Sequence, residues 1–78
     1  MKIEVLGKGC AKCKQLEKDV YNALAELNMA ADVSKVDDLQ KILSYKVMTT
    51  PALVIDGQVK LAGRLPRKDE LRKFLKGD

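Results

Sequence analysis

The chain has 78 residues, 46% hydrophobic and 33% charged, with two cysteines, no histidine and a net charge of +4. That length suits one domain with a modest core, spanning residues 1–78. The missing histidine excludes Ser-His-Asp and Cys-His catalysis and every His-containing zinc site, and two thiolates alone cannot complete a tetrahedral zinc site within one chain.

Lys2-Ile3-Glu4-Val5-Leu6 reads as a first strand with Ile3 and Val5 on one face. Glu4 falls early and no apolar h-region follows it, so no secretory signal is expected. No apolar run reaches the roughly 18 residues of a membrane span. Gly7-Lys8-Gly9 starts like a dinucleotide fingerprint, but its third glycine would fall at Lys12, and that reading fails. The glycines are expected to let the backbone turn tightly and leave Cys10 uncrowded. A first helix follows from about Ala11 to Asn28, with Cys13, Leu16, Val20, Leu24 and Leu27 recurring at three- and four-residue steps.

Ala31 to Val36 is a polar strand suited to a sheet edge. Asp37-Asp38 offers an N-cap to a short second helix with Leu39, Ile42 and Leu43 inward, ending near Lys46. Val47 to Pro51 is a loop. Ala52-Leu53-Val54-Ile55 is wholly apolar and therefore central, Asp56-Gly57 marks a type I′ turn, and Gln58-Val59-Lys60-Leu61 alternates as an edge strand. In that register Ala52, Val54, Val59 and Leu61 share a face. Pro66 suits the first position of a last helix carrying Leu71, Phe74 and Leu75, with Gly77 ending it.

Residues 1–39 carry six lysines and seven acids, and residues 40–78 nine basic residues and four acids. Much of the excess lies between Arg64 and Lys76, where only Phe74 is aromatic, so a solvated helix face fits better than a nucleic-acid surface.

The chemistry concentrates in Cys10-Ala11-Lys12-Cys13, at a strand-to-helix junction. The first turn of a helix leaves N–H groups unpaired and carries partial positive charge, which eases ionisation of a nearby thiol to its reactive form. The second thiol, one turn on, can close a disulfide with the first. A structural staple explains the pair poorly, since so small a loop contributes only about 2 kcal/mol in the chain-entropy account. Cys13 falls on the inward stripe and Cys10 off it. Lys8, Lys12 and Lys14 flank the motif; they oppose the helix dipole but favour a thiolate by direct attraction.

The order is βαβαββα, with Cys-X-X-Cys after the first strand and Thr50-Pro51 before the third, and it resembles the thioredoxin/glutaredoxin fold. The likeness is closest to the very small thioredoxin-like redox-active disulfide proteins of archaea and bacteria. It is carried by Met1 to Glu4, Gly9 to Lys14, Thr49 to Gly57 and Gly63 to Pro66. It implies an α/β fold with a four-stranded mixed sheet and helices on both faces. It implies Cys10 as nucleophile, Cys13 as resolving thiol, Pro51 as a cis-proline facing the disulfide, and Thr50 as the residue whose main chain pairs with an extended substrate. Glu4, six residues before Cys10, stands where thioredoxins keep a buried proton acceptor, a part that needs a burial-raised pKa. Gly9 stands where thioredoxins usually have Trp. Ala11-Lys12 stands where they have Gly-Pro and glutaredoxins have Pro-Tyr.

The expected activity is thiol–disulfide exchange, reducing disulfides of proteins or small molecules. The expected partners are disulfide-containing proteins and a thioredoxin-reductase-like donor, with no nucleic acid and no membrane. The expected state is a cytoplasmic monomer without cofactor or metal. Two other functions compete: a copper or heavy-metal carrier using the two soft thiolates, and a redox-sensing interaction module. Carriers of that kind have the order βαββαβ and usually a Met two residues before the first Cys, where this chain has Lys8.

Overall fold

The computed structural model describes residues 1–7 and 11–77. Its elements are β1 (Lys2–Leu6), α1 (Ala11–Glu26), β2 (Asp32–Val36), α2 (Leu39–Ser44), β3 (Ala52–Ile55), β4 (Gln58–Ala62) and α3 (Lys68–Lys76). This is the expected βαβαββα order and not the βαββαβ of the metal carriers. The strands form one mixed sheet in the order β2-β1-β3-β4. β1 runs parallel to β2, as a helical crossover requires, and antiparallel to β3, and β3 and β4 form the hairpin.

Strand alternation divides the core in two. Ile3 and Val5 of β1 and Leu53 and Ile55 of β3 point to one face, under Leu16, Val20, Ala23 and Leu24 of α1 and Leu71 and Leu75 of α3. Leu6, Ala52 and Val54 point to the other, with Val36, Ile42 and Val47. Helices therefore cover both faces, and β3 is buried along its whole length.

Local chemistry explains most boundaries. α1 stops at Glu26 because Asn28 turns left-handed (φ 53°). Met29 N–H then reaches Leu24 O (2.9 Å) and Asn28 N–H reaches Ala25 O (3.2 Å), the paired bonds of a Schellman motif. Leu27, just past the helix, is half-buried against the core. Asp38 caps α2, its side chain accepting from Gln40 N–H at 3.1 Å. Asp56 and Gly57 both have positive φ (50° and 82°), as a type I′ turn demands.

Three expectations need correction. Leu61 does not share a face with Ala52 and Val54. The ladder pairs Val54 with Val59 but Leu53 with Leu61, so β4 carries one extra residue, Lys60, in a β-bulge. That bulge turns Leu61 into the α1/α3 core, while Val59 stays 40% exposed. In α2 only Ile42 is buried; Leu39 and Leu43 are each 53% exposed, because one short helix cannot bury a wide stripe against a single sheet face. Finally, α3 begins at Lys68 with Arg67 as N-cap, so Pro66 precedes the cap. The start is set by Glu70, whose Oε1 accepts from Arg67 N–H at 3.3 Å.

Glu70 also ties the segment after β4 to α3. The Arg64 guanidinium grips its carboxylate in a two-pronged pair, Nη1–Oε1 2.9 Å and Nη2–Oε2 2.7 Å. The Arg64 hydrogen bond holds Glu70 down from 4.5 to about 2. A depressed carboxylate contributes stability above its unfolded pKa and loses it as the folded value is approached. Urea melts should therefore show this contribution intact above pH 4.5 and lost between there and about pH 2. The same acid-side series on Arg64→Gln should lack that component. The divided core gives a second test. Leu53→Ala should lower unfolding free energy by about 2–5 kcal/mol, and Leu43→Ala, at a half-exposed position, by under about 0.5 kcal/mol.

Candidate active site

Cys13 lies in the first turn of α1 and is fully buried, on the same stripe as Leu16 and Val20. This is the inward position that the helical spacing predicts. Lys12 and Lys14, on either side, are exposed. Cys10, with Lys8, Gly9 and Asp78, lies outside the described residues, so the expected contrast in exposure is described for Cys13 alone.

Gly7 follows β1 and extends the Ile3–Val5 parity, facing α1. A Cβ built on it would collide with Cys13 Sγ, come within 3.0 Å of Cys13 Cβ, and lie 3.8 Å from Thr50 Cβ. Gly7 is thus where the Cys13 sulfur and Thr50 both come close to the end of β1. The glycines are expected from the sequence to give room to Cys10; for Gly7 the sulfur accommodated is that of Cys13. Its position two beyond Val5 is the available signal.

The loop that supplies Thr50 is fixed at both ends. Val47 is buried under the α2 face of the sheet. The Thr50–Pro51 peptide bond is cis, and Pro51 is buried while Thr50 is exposed. Pro51 O accepts from Gly63 N–H at 2.8 Å, which joins the loop to the segment held by Arg64. Beside Thr50 is an apolar hollow of about 220 Å³, lined also by Leu39, Ile42, Leu43, Val47 and Met48. Met48 is 92% exposed. A larger concavity of about 620 Å³ sits at α3, but its Arg64 is already engaged by Glu70, and none of its lining residues belongs to the α1 or Val47–Pro51 segments.

Glu4 is buried, at 3% exposure. Tyr45 donates its hydroxyl to Oε1 at 2.5 Å, and Lys41 Nζ stands 3.3 Å from Oε2. That second contact is an ion pair without hydrogen-bond geometry, and among the described residues no donor reaches Oε2. The Tyr45 hydrogen bond holds the Glu4 carboxyl below its usual range; burial pushes the other way, and Lys41 adds to the lowering. The same bond raises the Tyr45 phenol. A proton-acceptor part needs a burial-raised carboxyl, and here the shift runs downward. Nothing in the spacing of Glu4, Lys41 and Tyr45 signals this cluster, because it is made across the sheet.

Among the described residues, no helix is long and apolar enough to cross a membrane.

Residues 1–76 match the thioredoxin domain family. The chain belongs to that family. It is 39% identical over 75 residues to a thioredoxin of Methanothermobacter thermautotrophicus, covering 96% of this chain and 97% of the relative. It is 34% identical over 79 residues to a thioredoxin of Methanocaldococcus jannaschii, covering 96% and 91%. The fold is thioredoxin-like, and in general terms the protein is a thiol–disulfide oxidoreductase.

The close approach at Gly7 makes one substitution informative. Gly7→Ala forces the Cys13 sulfur or the β1 end to move. It should cost about 1–3 kcal/mol in urea melts, as overpacking does. Gly7→Ala/Cys13→Ala, which removes the opposing sulfur, should recover part of that loss.

Proposed function

We propose that this thioredoxin-family protein reduces disulfides of proteins, with Cys10 as the attacking thiolate and Cys13 as the resolving thiol. The observation that carries the reading is the meeting of Cys13 Sγ and Thr50, from the cis Thr50–Pro51 pair, at the side-chain-less Gly7. The family match supplies the class of chemistry, and the exposed Met48 and the apolar hollow beside Thr50 supply a surface on which a polypeptide substrate can lie.

Cys10 thiolate attacks one sulfur of the substrate disulfide; that S–S bond breaks as the mixed disulfide forms, and the departing sulfur leaves as a thiolate that takes up a proton. Cys13, deprotonated, then attacks Cys10 Sγ. The mixed disulfide breaks, the second substrate sulfur is released reduced, and Cys10 and Cys13 are left as a disulfide. A thioredoxin-reductase-like donor returns two electrons. Lys12 favours the Cys10 thiolate by its charge. The main chain of Thr50 pairs with the extended substrate, and Pro51, having no N–H, ends that pairing beside the disulfide. Such a dithiol works in the reducing cytoplasm.

The test separates the two thiols. Cys13→Ser, incubated with cell lysate and run on non-reducing gels, should accumulate bands that vanish with reductant, because nothing resolves the mixed disulfide. Cys10→Ser should give none, since the remaining thiol is buried. Wild type should reduce insulin disulfides and both variants should lose turnover. Equal trapping by both variants would reject the assignment of roles. Adducts of glutathione alone would move the substrate class from proteins to small thiols.

A further inference from the structure

We propose that Glu4 is a positioning residue for the substrate loop, holding α2 through Tyr45 and Lys41 so that Thr50 stays beside Gly7, where the Cys13 sulfur also lies. This rests on the reading that Thr50 receives the substrate.

On β1, Ile3 and Val5 face α1 and α3, and Gly7 continues that side. Glu4 and Leu6 face the opposite side, where Leu6 meets Val36, Ile42 and Val47. Glu4 therefore directs its carboxylate to α2, across the sheet from Cys13. Its Oε1 accepts the Tyr45 hydroxyl, and Lys41 faces its Oε2. A proton acceptor for Cys13 would need to reach that thiol, and would work best near neutral pH. Glu4 is turned away, and its proton affinity is lowered by Tyr45.

Among the described residues, few side chains tie α2 to the sheet. It has six residues, and only Ile42 is buried. A helix this short does not persist by itself in water and depends on tertiary contacts. Among the described residues, besides Ile42 and the Tyr45 ring packed against the same core, the side-chain attachments it has are the Lys41–Glu4 ion pair and the Tyr45–Glu4 hydrogen bond at its C-cap. The strand end of this clamp is firm, since Glu4 lies between Ser34 of β2 and Val54 of β3.

Beyond Tyr45 the chain runs directly to the site. Lys46 is left-handed (φ 61°), Val47 is buried, and Thr50 and cis-Pro51 come next after two exposed residues. A shift of the Tyr45 end of α2 is passed to Thr50 over five residues, with Val47 the one buried side chain between them.

The experiment compares two substrates in steady state, insulin disulfide and a small aromatic disulfide that needs no strand pairing, dithiobis(nitrobenzoate). Tyr45→Phe deletes one oxygen and leaves the ring. It should raise KM for insulin about 2- to 12-fold, the worth of one net hydrogen bond. It should leave kcat, the small-disulfide rate and its pH profile unchanged. Glu4→Leu should do the same more strongly, and Glu4→Gln, whose amide oxygen still accepts from Tyr45, should recover much of the insulin KM. If Glu4→Leu fails to fold, Tyr45→Phe and Glu4→Gln decide. An unchanged insulin KM in Tyr45→Phe overturns the proposal, even if its Tm falls. A parallel loss on both substrates, or a displaced pH profile in Glu4→Gln, also overturns it and restores the proton-acceptor role. Wild type that reduces neither substrate removes the reading of the preceding section together with this one; wild type that reduces insulin while Tyr45→Phe matches it removes this one alone.

Discussion

Strand β1 has neighbours on four sides: β2 and β3 along its edges, α1 across one face and α2 across the other. Five residues must therefore satisfy two hydrogen-bonding ladders and two cores at once. Ile3, Val5 and Leu6 do so by being apolar, each fully buried side chain being worth about 1.5–3 kcal/mol. Gly7 does so by having no side chain, which lets α1 bring its first turn down onto the end of the strand. Cys13 and Thr50 come together where this strand stops.

Glu4 is the exception within β1, a buried carboxylate in a strand whose other buried side chains are hydrocarbon. Desolvating a charge is costly, and a partnered buried ion is by itself weak evidence of stability. What the partners provide here is a fixed direction. One oxygen is engaged by a phenol and the other faces an ammonium, both from one short helix and its cap. An apolar side chain at the same place could pack against α2 but would not specify where along the strand its C-terminal end must sit.

The fold is legible in the sequence because its strongest signals are local. Asp56-Gly57 fixes a turn by φ alone, Asp38 caps its own helix, and the three- and four-residue spacing of Leu16, Val20 and Leu24 selects the buried stripe. Spacing misleads where a non-local constraint intervenes. Leu61 joins the other core because of a bulge that alternation cannot show. Leu39 and Leu43 look like core by spacing, but α2 is too short to bury both. At the site, Cys13 and Pro51 are legible as motif residues. The Tyr45–Glu4 contact spans 41 residues of chain, and no spacing rule reaches it.

The bulge at Lys60 has a further effect outside the core. A four-stranded open sheet exposes two rows of backbone groups, on β2 and β4, and any extended segment of another molecule can dock on such a row. On β2 the row is guarded by Asp32, Ser34 and Lys35, all exposed. On β4 the extra residue breaks the regular spacing of donors and acceptors and sets an exposed lysine at the break. Both borders are thus poor templates for cross-β growth. The bulge that redirects Leu61 into the core therefore also guards an open border of the sheet against pairing with a second copy of the chain.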